Sequence, residues 1–131
     1  NTTVAKRAGV KSTGNARRNG FKNLPGIGSH NLYVAPGTVT PEEIIKKTER
    51  GLLVKGVTGY GINFVSGNFS GGARGFWIEN GKIAFPVKGL TIAGTAAEIL
   101  NGIDMVGNDL DPYRSLTAPT IRVKELQIGG E

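Results

Sequence analysis

The side chains that could carry out chemistry are few and scattered in this chain. His30 is the only histidine and there is no cysteine, so the chain cannot by itself assemble a closed tetrahedral zinc site. A single imidazole with no local partner gives no basis for a Ser-His-Asp triad. Asn108, Asp109 and Asp111 offer oxygen ligands, but they lack the spacing, the central glycine and the distal glutamate of a calcium loop. We therefore predict no catalytic residue and no metal ligand in this sequence.

A glycine-rich segment that ends at a tryptophan is the strongest candidate for contact with a peptide or a partner. It contains Ser70, Gly71, Gly72, Arg74, Gly75 and Trp77. Because glycine lets another backbone approach closely, an extended peptide could add to this segment if it forms an exposed strand edge. The same glycines are at least as compatible with a bulged strand that is fully paired inside a sheet. The cation of Arg74 could meet a carboxylate, although a surface position is the default for arginine.

All of the net positive charge lies in the amino-terminal arm. Residues 1–25 carry six basic side chains and no acidic one, whereas the remaining 106 residues carry ten of each sign. The six are Lys6, Arg7, Lys11, Arg17, Arg18 and Lys22. Such an arm can bind nucleic acid or an acidic partner, or it can be a solvated edge. Phe21 is its one aromatic residue, so no stacking platform for bases is evident, and we favour the solvated edge.

The clearest structural element is a β-hairpin centred on Asn80-Gly81. Two β-prone runs flank this pair, which is the strongest short hairpin signal because glycine and asparagine tolerate positive φ. The predicted register sets Glu79 against Lys82, Ile78 against Ile83, Trp77 against Ala84 and Phe76 against Phe85. Both faces then carry apolar groups, so we expect the hairpin to lie inside a larger sheet or sandwich, with Trp77 largely buried.

Two capping boxes predict short helices, one from the Thr40–Glu43 box to Gly51 and one from the Thr95–Glu98 box to Gly102. Segments with β-strand propensity are predicted at residues 2–6, 31–34, 52–65, 90–93, 103–106 and 119–124. In the last of these strands the alternation predicts that Arg122 points outward into solvent. Together these elements predict a mainly β domain, an antiparallel sandwich or barrel-like fold with one or two short helices.

Length and composition fit one β-rich domain over residues 1–131. Glycine occupies 21 of 131 positions, at least twice its usual share of roughly 7%, without a collagen-like period. The lack of cysteine fits a reducing compartment, and no apolar stretch approaches the ~18 residues of a membrane span. Because the chain begins at Asn1 without Met, we expect it to be a piece of a longer protein.

Several motifs, taken in order along the chain, resemble one protein family. They are Ser12–Ala16, Asn31–Gly37, Gly51–Val54, Phe69-Ser70 with Gly75–Gly81, and Val106–Leu110. Together they resemble the carboxy-terminal domain of the PmbA/TldE proteins, often named modulators of DNA gyrase, over essentially the whole chain. The resemblance implies a β-rich carboxy-terminal domain of a two-domain cytoplasmic protein. It also implies a role in a TldD/TldE-type metalloprotease that trims unfolded peptides, including peptide antibiotics and antitoxins.

The same resemblance implies that the zinc belongs to a TldD-like partner subunit and that this chain has no cofactor of its own. Such a partner carries a His-Glu-x-x-x-His motif upstream and a metal-binding cysteine in its carboxy-terminal domain. The corresponding late loop here, Asp109–Ser115, contains no cysteine, which favours the metal-free TldE side. We expect a homo- or hetero-oligomer that binds peptide substrates. The alternatives are a gyrase-binding or nucleic-acid-binding module and a purely structural, peptide-docking domain.

Overall fold

A computed structural model describes residues 2–63 and 65–130. The contacts divide the chain into two compact units, one formed by Asn1–Val34 with Asp111–Thr117 and the other by Ala35–Leu110 with Ala118–Glu131. We call them the amino-terminal unit and the sheet unit and describe each by itself. The described elements are, in order, α1 (Thr2–Arg7), β1 (Ala16–Arg17), β2 (Gly26–Ile27), β3 (Leu32–Tyr33), α2 (Pro41–Lys46), β4 (Arg50–Ile62), β5 (Asn68–Glu79), β6 (Lys82–Thr95), α3 (Ala96–Asn101), β7 (Ile103–Val106), β8 (Leu116–Thr117), β9 (Ile121–Val123) and β10 (Gln127–Gly129).

The amino-terminal unit consists of one short helix and two pairs of very short strands. β1 pairs with β2 in antiparallel fashion, and β3 pairs with β8 in parallel fashion. The first element is a helix rather than the strand predicted over residues 2–6, so that prediction is wrong. Lys6 and Arg7 lie in the last turn of this helix, where the macrodipole favours cations and opposes the β propensity of the neighbouring threonines and valine.

The sheet unit is built on a four-stranded antiparallel sheet with the order β10-β6-β5-β4. A second, two-stranded antiparallel sheet joins β7 to β9. The prediction of a mainly β, antiparallel fold is therefore confirmed, although the described strands form no closed barrel. There are three short helices in the described residues, one more than predicted, because α1 replaces the expected first strand. No helix among these residues is long and apolar enough to cross a membrane.

The Asn80-Gly81 turn joins β5 to β6 as predicted. Asn80 has a φ of 50° and Gly81 a φ of 73°, so both central residues adopt the positive φ that this tight hairpin requires. The backbone N–H of Asn80 donates to the carbonyl oxygen of Glu49 over 2.6 Å, and that of Gly81 donates to the carbonyl oxygen of Thr48 over 3.0 Å. The turn is thereby attached to the segment that leads from α2 into β4.

The hairpin register departs from the prediction two residues beyond the turn. Glu79 pairs with Lys82 and Ile78 with Ile83, as expected, but Trp77 pairs with Phe85 rather than with Ala84. Phe76 in turn pairs with Pro86 rather than with Phe85. Ala84 is an extra residue in β6, a β-bulge that shifts the later pairs by one position.

Both predicted capping boxes are present, although the helix that begins after Thr40 is shorter than predicted. The Thr40 hydroxyl accepts from the Glu43 N–H at 3.2 Å, and the Glu43 carboxylate accepts from the Thr40 N–H at 2.8 Å. α2 ends at Lys46 rather than at Gly51, which lies in β4 opposite Ile78. The pairing of β4 with β5 therefore overrides the predicted glycine cap.

The core of the described residues is small and centres on the sheet. Ile44, Ala73, Ile78 and Ile92 are the buried hydrophobic residues, each at most 8% exposed. Trp77 is largely though not fully buried, in agreement with the prediction, and the guanidinium carbon of Arg50 lies 5.6 Å from its ring centroid. This spacing allows a cation–π contact that covers one side of the indole.

Candidate functional site

The predicted contact segment lies in the middle of the sheet. β5 pairs with β4 on one side and with β6 on the other, so its backbone groups are already used. The hypothesis that Ser70–Trp77 forms an exposed edge is therefore wrong, and the alternative of a strand paired on both sides inside the sheet is confirmed. Glycine propensity gives no information on strand order, which depends on pairing between distant segments.

The six candidate contact residues are divided between the two faces of the sheet, because side chains alternate along a strand. Gly71, Gly75 and Trp77 share one face, whereas Ser70, Gly72 and Arg74 share the other. Any contact that uses all six residues would have to reach both faces.

Arg74 is the charged member of this set and is exposed. It pairs with Gly56 of β4, and its side chain lies across that glycine. A Cβ on Gly56 would come within 2.8 Å of the Arg74 Nε atom. The guanidinium thus lies on the sheet surface, where a carboxylate of a ligand could reach it.

The edges that remain open belong to β4 and to the first half of β6. Within the described residues, β4 pairs with β5 alone, and β10 covers β6 only opposite Thr91–Ala93. β4 is 13 residues long and is interrupted by register shifts at Lys55 and between Thr58 and Gly61. A long strand edge of this kind can accept a further strand through main-chain hydrogen bonds.

An open depression of about 400 Å³ lies at the far end of the β4–β5 pair. Its lining is formed by Gly61–Asn63 and Asn68–Ser70. Ser70 is the one member of the predicted contact set that reaches it. The depression holds no charged residue, so it offers shape and backbone groups rather than a chemical group for catalysis.

A tight loop over Gly107–Asp109 contacts the chain on two sides. The N–H of Gly37 donates to the carbonyl oxygen of Gly107 over 2.8 Å, and the N–H of Asn108 donates to that of Val39 over 2.9 Å. The N–H of Gly107 donates to the carbonyl oxygen of Thr120 over 2.7 Å. At Gly37 a Cβ would overlap the carbonyl oxygen of Val106, so only glycine fits this close approach.

Asp109 holds this loop through both of its carboxylate oxygens. One oxygen accepts from the Thr120 N–H at 2.8 Å and the other accepts from the Thr120 hydroxyl at 2.7 Å. Partial desolvation acts to raise the pKa of Asp109, but the two Thr120 hydrogen bonds, with help from the charge of Lys55, lower it below the usual 3.8. The carboxylate is thus charged and engaged within the chain, which explains structurally the turn that the sequence predicts here.

Asp104 and Arg122 form an ion pair that sequence reasoning missed. The guanidinium donates to both Asp104 oxygens, at 2.9 and 2.7 Å, and also to the carbonyl oxygen of Lys47 at 2.8 Å. Hydrogen bonding from Arg122 is the largest cause that lowers the pKa of Asp104 below 3.8. Arg122 is therefore not a solvated residue as predicted, since it ties β9 to β7 and to the end of α2. Its opposite charge to Asp104 on a neighbouring predicted strand was the available signal.

Potential metal ligands are scattered over the part of the chain that the structure describes. Among residues 2–63 and 65–130, no group of three or more His, Cys, Asp or Glu side chains is gathered closely enough to hold a metal. His30 is exposed in the amino-terminal unit. We accordingly derive no chemical step through a metal bound by these residues.

The predicted basic patch lies in the amino-terminal unit. All six of its side chains are exposed, and Arg17 donates to the carbonyl oxygen of Ser29 over 3.5 Å. The aromatic ring of Phe21 is fully exposed as well. The structure thus gives this arm accessible positive charge.

Comparison with known proteins identifies the family. Residues 1–130 match the family described as the PmbA/TldA metallopeptidase C-terminal domain. The chain is 34% identical to the metalloprotease PmbA of Escherichia coli O157:H7, over 97% of this chain and 26% of that protein. It is 36% identical to a TldD homolog of Buchnera aphidicola from Acyrthosiphon pisum, over 96% of this chain and 29% of that protein.

Two solved structures have the same fold. One is a putative modulator of a DNA gyrase from Thermotoga maritima, with a TM-score of 0.84 and 38% identity over 98% of this chain and 29% of that chain. The other is TldE from Thermococcus kodakarensis, with a TM-score of 0.82 and 31% identity over 96% of this chain and 29% of that chain. The present chain thus spans between a quarter and a third of the length of these proteins. From the family match and these identities, the chain belongs to the PmbA/TldA metallopeptidase C-terminal domain family.

Proposed function

We propose that this domain is the noncatalytic, TldE-type part of a two-subunit metallopeptidase that processes unfolded peptides in the cytoplasm. Membership of a metallopeptidase domain family supports a subunit role in a peptidase complex. The likeness to both PmbA and TldD proteins fits a two-subunit complex, and the late loop, which has no cysteine and holds its aspartate through Thr120, favours the metal-free side. A TldD-like partner would supply the zinc and the proton-transfer groups.

The observation that carries the peptide part of the proposal is the open edge of β4. A strand edge binds an extended chain through main-chain N–H and C=O groups, so affinity depends little on the sequence of the peptide. Such tolerance suits an enzyme that acts on varied unfolded substrates. Lys55, Thr58 and Val54 are exposed along β4 and would flank the added strand. Arg74, lying on the neighbouring strand β5, could contact acidic side chains or the carboxylate of the peptide.

The subunit role is tested by reconstitution. The protein that carries this domain is assayed with an unfolded, fluorogenic peptide, alone and with a purified TldD-type protein from the same genome. We expect no hydrolysis by the first protein alone and chelator-sensitive hydrolysis by the pair. Hydrolysis by this protein alone, lost on addition of a chelator, would place the catalytic half in its own chain and overturn the proposal.

The role of the β4 edge is tested with N-methylated peptides. The probe is a fluorescein-labelled ten-residue peptide of mixed sequence, and two further versions carry N-methyl groups on the odd or on the even residues. Because successive N–H groups of a strand point to opposite sides, one methylated version should lose binding and the other should keep it. Equal binding of all three peptides would exclude strand addition.

A further inference from the structure

A bulge in β4 lies directly opposite Arg74 of β5. Gly56 pairs with Arg74, and Val54 pairs with the next residue of β5, Gly75. Lys55 lies between these two positions of β4 and is the extra residue of the bulge. Neighbouring residues of a strand point to opposite faces, whereas directly paired residues share a face. Lys55 therefore stands on the same face as Arg74 and on the opposite face from Val54.

The face that carries Arg74 is open to solvent across the middle of the sheet. Its exposed side chains in this stretch of β4 and β5 are Lys55, Thr58, Ser70 and Arg74. The other face is covered at the same level, because Ala73 is only 4% exposed and Ile92 only 8%. A ligand can therefore reach the sheet from the side of Arg74 but not from the side of Ala73.

Two glycines on the open face allow larger side chains to lie flat on the sheet. A Cβ on Gly56 would come within 2.8 Å of the Nε atom of Arg74 and 3.5 Å of its Cζ atom. A Cβ on Gly72 would come within 3.1 Å of the hydroxyl oxygen of Thr58. The side chain of Arg74 thus runs from β5 across Gly56, and its guanidinium lies over β4, the strand whose other edge is open.

The positive charge on this face is not neutralised by a close partner. Among residues 2–63 and 65–130, neither Lys55 nor Arg74 has a carboxylate oxygen within 4 Å. The charge of Lys55 helps to lower the pKa of Asp109, but it acts from beyond ion-pair distance, and the Asp109 carboxylate is held by Thr120. Both cations are therefore available to a ligand.

A strand added to the open edge of β4 would bring one of its side chains to these cations. Strands in a sheet lie about 4.8 Å apart, and the Cβ atoms of directly paired residues are about 4.5–5.5 Å apart. A residue opposite Gly56 would thus stand about one strand spacing from the position over which the guanidinium lies. The side chain of a glutamate or an aspartate can close that gap, and Gly56 has no side chain to block it.

We propose that Lys55 and Arg74 form a subsite for an acidic side chain, which selects unfolded peptides that carry Glu or Asp opposite Gly56. Arginine presents its donors in a planar fork that matches a carboxylate, and lysine adds a mobile donor from the edge strand. This inference rests on the peptide-binding role proposed above for the β4 edge and adds the class of substrate that the edge prefers.

The test compares peptides that differ in the charge of one side chain. The probes are fluorescein-labelled ten-residue peptides of one uncharged sequence with Glu, Gln or Lys at a central position, each made with a free and with an amidated carboxy terminus. Binding to the full-length protein is measured by fluorescence anisotropy at about 50 mM salt, where screening is weak. We expect the Glu peptide to bind roughly 3- to 10-fold more tightly than the Gln peptide.

The chain offers a matched control for Arg74. Lys88 is also exposed, and the β6 pairing places Lys88 and Gly89 opposite Arg74 on the side away from the open edge of β4. Arg74→Gln and Lys88→Gln each remove one positive charge, but only Arg74→Gln should abolish the preference for Glu. Arg74→Glu should reverse it, so that the Lys peptide binds more tightly than the Glu peptide. Circular dichroism checks that each variant is folded.

The outcomes separate this inference from the proposed function. Equal binding of the Glu, Gln and Lys peptides by the wild type, with strand addition still seen for the N-methylated peptides, would overturn the acidic subsite alone. Absence of binding by any peptide would overturn both proposals. Tighter binding of the free-acid peptides regardless of the central residue would assign the cations to a chain terminus and overturn their assignment to a side chain.

Discussion

Asp109 and Thr120 form the most complete side-chain contact around the tight loop at Gly107. Both carboxylate oxygens accept from Thr120, and Gly107, two residues before Asp109, leaves room for the carboxylate. A Cβ on Gly107 would overlap an Asp109 carboxylate oxygen. The glycine and the aspartate of the Gly-Asn-Asp motif are therefore linked by geometry, because the first makes space for the second.

Replacement of Asp109 should destabilise the fold. We expect Asp109→Ala to lower the free energy of unfolding by roughly 1–2 kcal/mol, because the N–H and the hydroxyl of Thr120 lose a charged acceptor. Asp109→Asn retains one acceptor oxygen and should show a smaller loss. Urea unfolding measures both values.

A neighbouring aspartate serves as the control. Asp111 pairs with Arg114 on the surface, with side-chain exposures of 46% and 75%, so Asp111→Ala should change stability by about 0.5 kcal/mol or less. A larger loss for Asp111→Ala than for Asp109→Ala would contradict the assigned role of Asp109.

The ion pair of Asp104 and Arg122 predicts an acid-sensitive stability. The pKa of Asp104 is lowered in the folded chain, chiefly by hydrogen bonds from Arg122, so the unfolded chain takes up the proton first as the pH falls. The stabilisation is therefore present above the unfolded pKa of about 3.9 and is lost as the pH falls through the lower, folded value. Unfolding curves between pH 7 and pH 3 should show this loss, with a shallower pH dependence in Asp104→Asn. An unchanged slope in that variant would argue against the pair.

At the scale of elements, Gly75 determines how closely β5 approaches β4. A Cβ at this position would overlap the carbonyl oxygen of Leu53, and that oxygen belongs to the backbone and cannot rotate away. By contrast, a Cβ at Gly61 of β4 would meet no atom within 4 Å, and Gly61 does not have positive φ. The two glycines thus lie in the same strand pair under opposite steric conditions.

We expect Gly75→Ala to destabilise the chain by roughly 1–3 kcal/mol or more, as overpacking against a fixed backbone does. Gly61→Ala should be tolerated within about 1 kcal/mol, and can stabilise by reducing the freedom of the unfolded chain. Thermal unfolding of the two variants measures the difference. Equal loss in both would mean that the strands separate easily at Gly75.

Sequence reasoning succeeded at this scale where the deciding interactions are local. The Thr40–Glu43 and Thr95–Glu98 boxes and the Asn80-Gly81 turn each involve groups within a few residues of one another, so their residue types determine the geometry. Sequence reasoning was wrong where pairing between distant segments determines the structure. Gly51 joins β4 instead of capping α2.

For the candidate site, too, sequence reasoning succeeded for local features and was wrong for features that depend on distant pairing. The sequence correctly indicated a glycine-rich strand, but the position of that strand between β4 and β6 depends on pairing with residues far along the chain, as between Arg50 and Glu79 or between Asn68 and Thr95. Arg122 shows the same limit over a longer distance, since it donates to the carbonyl oxygen of Lys47. Strand order and tertiary ion pairs are therefore the features that residue patterns alone did not supply.

At the scale of the whole molecule, the uneven distribution of charge determines the strength and the sequence dependence of any nucleic-acid binding. The six cations of the amino-terminal arm are exposed, and only Phe21 accompanies them as an aromatic group. Backbone phosphates would supply almost all of any affinity, because the arm has no platform on which bases can stack. Binding of this type is weak and independent of sequence.

We expect the chain to bind a fluorescein-labelled DNA duplex with an affinity that falls steeply between 50 and 200 mM salt. The double variant Arg17→Ser with Arg18→Ser should reduce the salt slope by about two, since each cation releases about one counterion. Arg114→Ser, outside the arm, is the control and should leave the slope nearly unchanged. Sequence-specific binding that persists at ~200 mM salt would instead support the nucleic-acid alternative.

The attachment of the Asn80-Gly81 turn to residues 48–49 also affects how fast Asn80 deamidates. Asn-Gly is the dipeptide most prone to deamidation, because the glycine nitrogen attacks the carbonyl carbon of the asparagine side chain, which gives a cyclic imide and releases ammonia. In this fold the Gly81 N–H is held by the Thr48 carbonyl oxygen, so the attack requires local opening of the turn. Asn19-Gly20 lies in the amino-terminal arm, where this pair and its neighbouring residues are exposed to solvent. Isoaspartate should therefore accumulate first in the arm, and its later appearance at position 80 would record how often the sheet opens.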